Sequence, residues 1–283
     1  MPQTQMTEQE AVDNFVSSAS NNDMADFNED LAYLLENNIS INALDVDGDT
    51  ALCLACAEAN LEIVKLLLKQ NSIDVNQKGD DGEAPIHFAC MDNNTNVLKC
   101  LLSHENIDLE NKNNEEGLTT LEMSIAIDDR EKVADILIAD KRTNVNALSA
   151  NGSTMLIVAV LLQRYDIVKS LLANPSIDIN LEAKSSMDIT SDNINQSATL
   201  LEDLLSNADN ASAKKIEATN AIENEAVAAS STALGMAIVM GDPVLVKLIS
   251  AHRDIKISEV MFSVAKFFGH EEITEHLKAL NIS

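Results

Sequence analysis

Residues Gly48–Leu52 read GDTAL, and the same five-residue design returns as GEAPI from Gly82, GLTTL from Gly117 and GSTML from Gly152. The steps are 34, 35 and 35 residues. Two further landmarks keep this period. An apolar run closes at Leu68, Leu102, Leu137 and Leu172, and an Asn-ended segment closes at Asn76 (SIDVN), Asn146 (NVN) and Asn180 (SIDIN). Self-similarity at a fixed period of this length marks a repeat architecture, in which one unit cannot bury its apolar face and its neighbours must cover it.

Within each unit, a threonine after the glycine (Thr50, Thr119, Thr154) is placed to cap a helix of about eight residues. A polar break follows, such as EAN or DNNTN. A second amphipathic helix then carries Ile63, Val64, Leu67 and Leu68 on one stripe. The unit ends in a Gly-bearing turn, DVDGD or GDDGE, rich in residues that tolerate left-handed backbone. Two short helices and a turn, repeated, predict an all-α solenoid.

The hexapeptide Ala84-Pro85-Ile86-His87-Phe88-Ala89 resembles the T-P-L-H-x-A signature of the ankyrin repeat, and GHEEI at Gly269–Ile273 resembles its inter-helix Gly-His. Cys53, Glu122, Ile157 and Gly235 stand where His87 stands in its repeat. The resemblance implies an ankyrin-like helical solenoid of about six to seven repeats with β-turn fingers. On that reading 1–9 is an N-terminal tail, 10–44 a capping repeat, and 45–180 four well-formed repeats. Residues 181–230 are then a degenerate repeat or a helical insertion, and 231–283 a repeat followed by a C-terminal cap.

Nineteen Lys+Arg face 46 Asp+Glu, a net charge of −27. A polyanion is repelled by phosphates, so nucleic acid and anionic membranes are excluded as expected partners and basic protein surfaces are favoured. The same acidity also serves solubility alone. No apolar run approaches the ~20 residues of a membrane span. The opening MPQTQMTEQEAVDNF lacks the charged and apolar regions of a secretory signal. The expectation is an intracellular, cytoplasmic monomer.

Cys53 and Cys56 lie three apart, and one repeat later the same positions hold His87 and Cys90. This resembles a zinc set only on paper. Stacked helix axes lie about 8–10 Å apart with side chains in parallel, whereas tetrahedral ligands must converge on one ion. Cysteine as a small buried hydrophobe is the expected reading, for Cys100 as well. The alternating Asp45, Asp47 and Asp49 hint at calcium, but no Glu stands at the twelfth position of such a loop. Phosphate-binding and dinucleotide motifs are missing too. No catalytic residue, metal or cofactor is expected.

Residues 181–230 hold ten Ala, nine acidic residues and three Lys, with no Gly, Pro or aromatic. Leu200, Leu201, Leu204 and Leu205 share a helical face, which favours a degenerate repeat with an added helix near 211–229 over an excursion from a finger loop. An enzyme site there would have carboxylates, Ser/Thr and Lys alone. The resemblance implies that partners meet the finger tips and the exposed ends of first helices. Carried over by register, those positions are Asp47, Asp49, Glu58, Asp80, Asp81, Glu83, Met91, Asp92, Glu115, Glu116, Ile127, Leu161 and Leu162. The function this implies is a non-catalytic scaffold, adaptor or inhibitor that binds a basic partner. The family also leaves open an effector secreted by an intracellular pathogen into a host cell. An alternative for Ile127, Leu161 and Leu162 is that the 181–230 segment covers them.

Overall fold

The computed structural model describes residues 6–113, 117–184 and 231–280. Two compact units divide the chain, Met1–Thr143 and Asn144–Ser283, and each is described by itself. The first holds four helix pairs: α1 (Glu8–Ser20) with α2 (Met24–Glu36), α3 (Ala51–Ala57) with α4 (Leu61–Leu67), α5 (Pro85–Met91) with α6 (Thr95–Leu102), and α7 (Thr120–Ala126) with α8 (Glu131–Ala139). The second holds three: α9 (Met155–Leu161) with α10 (Tyr165–Ala173), α11 (Ala233–Val239) with α12 (Pro243–Ser250), and α13 (Glu259–Phe267) with α14 (Glu271–Leu280). Helix α1 opens inside the segment expected as a tail, because Thr7 and Glu10 form a capping box that starts the helix at Glu8.

In each unit the first helices of successive pairs pack in one row and the second helices in another. The core lies between the rows. Leu52, Ile63, Leu67, Ile86, Leu98 and Leu101 are each no more than 2% exposed. Burying a side chain of that size contributes about 1.5–3 kcal/mol, and a seven-residue helix has no comparable stability of its own. The expected caps are in place: Thr50, Thr119, Thr154 and Thr232 each accept the backbone N–H three residues on. Where Ala84 replaces threonine that bond is missing, and His87 Nδ1 accepts the N–H of Ala84 itself at 3.0 Å, as Glu122 accepts that of Thr119. The two isolated bridges, Lys112 with Thr119 and Leu148 with Thr154, close the bases of fingers.

The Asn landmark has a structural cause. Asn76 donates its amide to Asn106 O at 2.8 Å and accepts Asp108 N–H at 2.9 Å. Asn146 does the same with Ser176 and Asp178, and Asn42 with Ser72 and Asp74. Each such asparagine ties the turn of its own repeat to the backbone of the next. The amide group suits this because it carries a donor and an acceptor side by side.

Asn180 makes the same pair of bonds with Asp254 O and Lys256 N, at 2.8 and 2.9 Å. Helices α11 and α12 pack directly on α9 and α10. Ala183 N–H reaches Ser231 O at 2.8 Å, the bond that closes other finger bases, as Gly79 N–H reaches Glu83 O at 3.1 Å. Thus 233–256 is the next repeat of the stack after 155–180. The helices expected within 181–230 lie in 185–230, outside the described residues; the chain is interrupted there at a finger tip, but the stack is not.

Candidate partner-binding surface

The first two fingers are built backbone on backbone. Asp45 N–H bonds Asp49 O at 3.0 Å to close one, and Asp80 N–H bonds Gly48 O at 2.8 Å to join it to the next. Gly48 has φ +84°, and a Cβ there would come within 2.4 Å of Asp80 Cβ. A Cβ on Gly79 would come within 2.5 Å of an Asp49 carboxylate oxygen. Only glycine admits this approach.

That closeness gathers carboxylates. Asp45 turns inward and accepts the N–H groups of Asp47 and Asp49. Asp47, Asp80 and Asp81 are exposed, and Asp49 is half-buried. Burial, then the charges of Asp45, Asp81, Asp47 and Asp80, push the Asp49 carboxyl above its ordinary value. Asp49 thus lies within reach of four other carboxylates on two adjoining fingers. Val46, next to Asp45 and Asp47, is 71% exposed, the most exposed large apolar side chain among the described residues.

Other residues expected at the surface fall in several environments. Glu58 and Asp92 are exposed at the C-terminal ends of α3 and α5. Met91 is half-buried, and its carbonyl takes the guanidinium of Arg130. Ile127, at the end of α7, is half-buried. In the second unit Leu161 is half-buried and Leu162 is 44% exposed. Glu115 and Glu116 lie outside the described residues. Glu83 does not belong with the surface set. It is only 7% exposed, and its carboxylate sits 2.9 Å from His87 Nδ1. Counting along the finger cannot reveal this, because a Glu one residue before the helix cap folds back under the finger rather than out of it.

Asp45 is absent from the expected partner-facing residues, although the alternation DVDGD already puts it beside the other two. The thiols form no site with these groups. Cys53, Cys56 and Cys90 are fully buried. Burial pushes Cys53 up to about 11, Cys90 up to about 12, and Cys56 well above the ordinary thiol range. Cys53 Sγ lies 3.5 Å from Gln77 O, and Cys90 Sγ 3.7 Å from Thr120 O. Such thiols are poor nucleophiles and pack as small apolar groups.

Residues 15–79 and 71–149 match the family described as ankyrin repeats (3 copies). The chain carries ankyrin repeats. No curated protein matches the sequence. Solved structures do, among them the crystal structure of the ankyrin repeat domain of Bcl-3, described as a unique member of the IkappaB protein family. It aligns with a TM-score of 0.56 and 19% identity, over 61% of this chain and 75% of that one. At that identity the shared property is the fold. The helix pairs of the second unit repeat the geometry of the matched ankyrin repeats, down to the Asn rung and the closed finger base. Ankyrin repeats serve protein–protein binding, and that coarse function holds for this chain. Among the described residues no helix is long and apolar enough to cross a membrane.

Proposed function

We propose that this chain is a non-catalytic interaction module whose first two fingers bind a basic segment of a partner protein. The observation that carries the reading is the convergence of Asp45, Asp47, Asp49, Asp80 and Asp81 on fingers held rigid by the Asp80–Gly48 bond. The surroundings reinforce it. The first 64 residues hold thirteen Asp and Glu and no Lys or Arg, and the ammonium of Lys78, beside the second finger, is directed to Lys112 O. Such a negative field speeds encounter with positive partners and repels negative ones. Exposed Val46 supplies an apolar contact inside the acidic rim.

The test is stopped-flow association of the full chain with a fluorescent fifteen-residue Lys/Arg-rich peptide, beside its Glu-substituted counterpart. The basic peptide should bind with an on-rate that falls roughly tenfold or more between low and physiological salt. The double variant Asp80→Lys/Asp81→Lys should lower the on-rate while leaving the circular dichroism unchanged. Equal binding of both peptides, or an unchanged on-rate in the variant, would refute the reading.

A further inference from the structure

One turn after a second helix, that of α8, carries an arginine, and its counterparts in the second unit border a groove. In the first unit Arg142 spans the gap from its own repeat to the preceding one. Its guanidinium donates to Leu102 O at 2.6 Å and His104 O at 3.1 Å, and is held by the Asp140 carboxylate at 2.6 Å. The carbonyls it meets belong to the C-terminal end of α6, the negative end of that helix. Arg142 therefore fills an inter-repeat slot with a planar cation.

The asparagine rungs give the register for the second unit. Asp108 and Asp178 occupy equivalent places, as do Asn106 and Ser176; one repeat later Arg142 corresponds to Asp254. On the same count Leu102 corresponds to Leu172, His104 to Asn174, and Asp140 to His252. These counterparts line a groove of about 410 Å³ between the turns after α10 and α12, with Pro175 and Ile177 supplying apolar wall. Arg142 is the one arginine at this place, where Ser72, Asn106, Ser176 and Asp254 stand in the other repeats, and Asp254 with its shorter side chain leaves the groove open. What it offers is the C-terminal end of α10, a carboxylate and an apolar wall. The Asp254 N–H reaches His252 Nδ1 at 3.2 Å. Arg253, 85% exposed, holds Asp254 from the solvent side at 3.1 Å, an exposed pair that water and salt weaken.

We infer that this groove takes an arginine side chain from a partner protein, on the precedent of Arg142, whose guanidinium lies against the equivalent helix end in the first unit. The guanidinium would meet Leu172 O and the Asp254 carboxylate as Arg142 meets Leu102 O and the Asp140 carboxylate, and the methylene stem would lie along Pro175 and Ile177. A planar five-donor fork suits two acceptors of this kind; a lysine ammonium does not reproduce it. The inference deepens the proposal of a basic partner and rests on it, but the groove is separate from the fingers.

The probe is the capped peptide Gly-Gly-Arg-Gly-Gly, titrated into ¹⁵N-labelled full chain and compared with its lysine and citrulline counterparts. Amide shifts should appear at 172–177 and 251–254, saturating at least fivefold more tightly for arginine than for either counterpart. Asp254→Arg should fill the groove from within, abolishing these shifts while keeping the fold. Arg253→Ala should tighten arginine binding by removing a competing cation, whereas an anion site would be weakened by that change. Shifts confined to the fingers would overturn the groove and leave the finger reading standing. Equal binding of citrulline, or no shift at 172–177 and 251–254 at millimolar peptide, would overturn the groove as well.

Discussion

His87 ties two backbone segments together with one side chain. Its Nδ1 accepts the N–H of the cap residue Ala84, as Glu122 Oε2 accepts that of Thr119, and its Nε2 donates to Asn111 O at 3.0 Å in the next turn. The bonds to Ala84 and Asn111 fit the neutral imidazole, whereas the Glu83 carboxylate 2.9 Å from Nδ1 favours the charged one, and burial decides for the neutral form. Burial, opposed by the Asn111 bond and aided by Lys78, holds its pKa below 6.5. The unfolded chain therefore takes up a proton that the folded one refuses, so stability is complete above about pH 6.5 and is lost as pH falls from there towards the depressed value. His87→Gln should cost about 1–3 kcal/mol at pH 7, by stranding buried partners, and should flatten the stability profile below pH 6.5 in urea titrations. An unchanged profile in the variant would mean that His87 is not the titrating group. Cys53 is the simpler case. Cys53→Ser should cost about 1–2 kcal/mol by burying a hydroxyl and Cys53→Ala less, and equal midpoints for the two would contradict its role as packing. These buried cysteines were legible in the sequence because the apolar run and the repeat register placed them on the packed face. The Glu83–His87 contact was not legible, since it depends on a backbone turn that period alone leaves undetermined.

At the level of elements, the joint between the two helices of a pair is the feature most open to improvement. Ala59 and Gln163 adopt φ of 59° and 54°, left-handed conformations that side chains without a local hydrogen bond resist. Gly241 and Gly269 hold the equivalent joints elsewhere, and Asn22 and Asn93 tolerate theirs. Relief of about 1–2 kcal/mol, less about 0.4–1 kcal/mol for the added freedom of the unfolded chain, leaves a net gain for Ala59→Gly or Gln163→Gly. Thermal melts should show both more stable and Asn22→Gly near neutral; a loss in both would place the strain elsewhere. The helices and caps were readable from threonine spacing and apolar stripes. The extent of the interruption was not, because amphipathic periodicity in 185–230 resembles that of a true repeat and only the Asn180 bonds to Asp254 and Lys256 decide which repeat comes next. Replacing 185–230 by an Asp-Gly pair, the composition of the tip at Asp81–Gly82, should therefore leave cooperative unfolding intact. The finger base Ala183–Ser231 is already closed, and shortening a loop changes closure entropy by only about 2 kcal/mol. A collapse of helical signal in that deletion would show that the stack depends on the segment.

Across the whole molecule, charge is unevenly divided. Residues 1–143 hold 29 acidic and nine basic residues, a net −20 of the total −27, while 144–283 hold 17 and ten. The acidic surplus thus coincides with the fingers that converge on Asp49, where like charges oppose folding and favour a positive partner. The sign of the Asp49 effect is opposite to that of His87. Its carboxyl is raised, so the folded state binds its proton more tightly, and stability rises as pH falls through the window above the ordinary 3.8. Asp49→Asn removes the charge without changing the shape. At neutral pH and low salt it should raise the melting temperature by a few degrees, an amount corresponding to about 1 kcal/mol. The gain should shrink as salt approaches about 0.2 M, where the screening length falls to about 7–8 Å. The same variant should slow association with the basic peptide. Strain and recognition would then be two readings of one field. If Asp49→Asn instead left the melting temperature unchanged at low salt while binding still slowed, the carboxylates would be too well solvated to oppose one another, and the acidity of the first unit would act on partners alone.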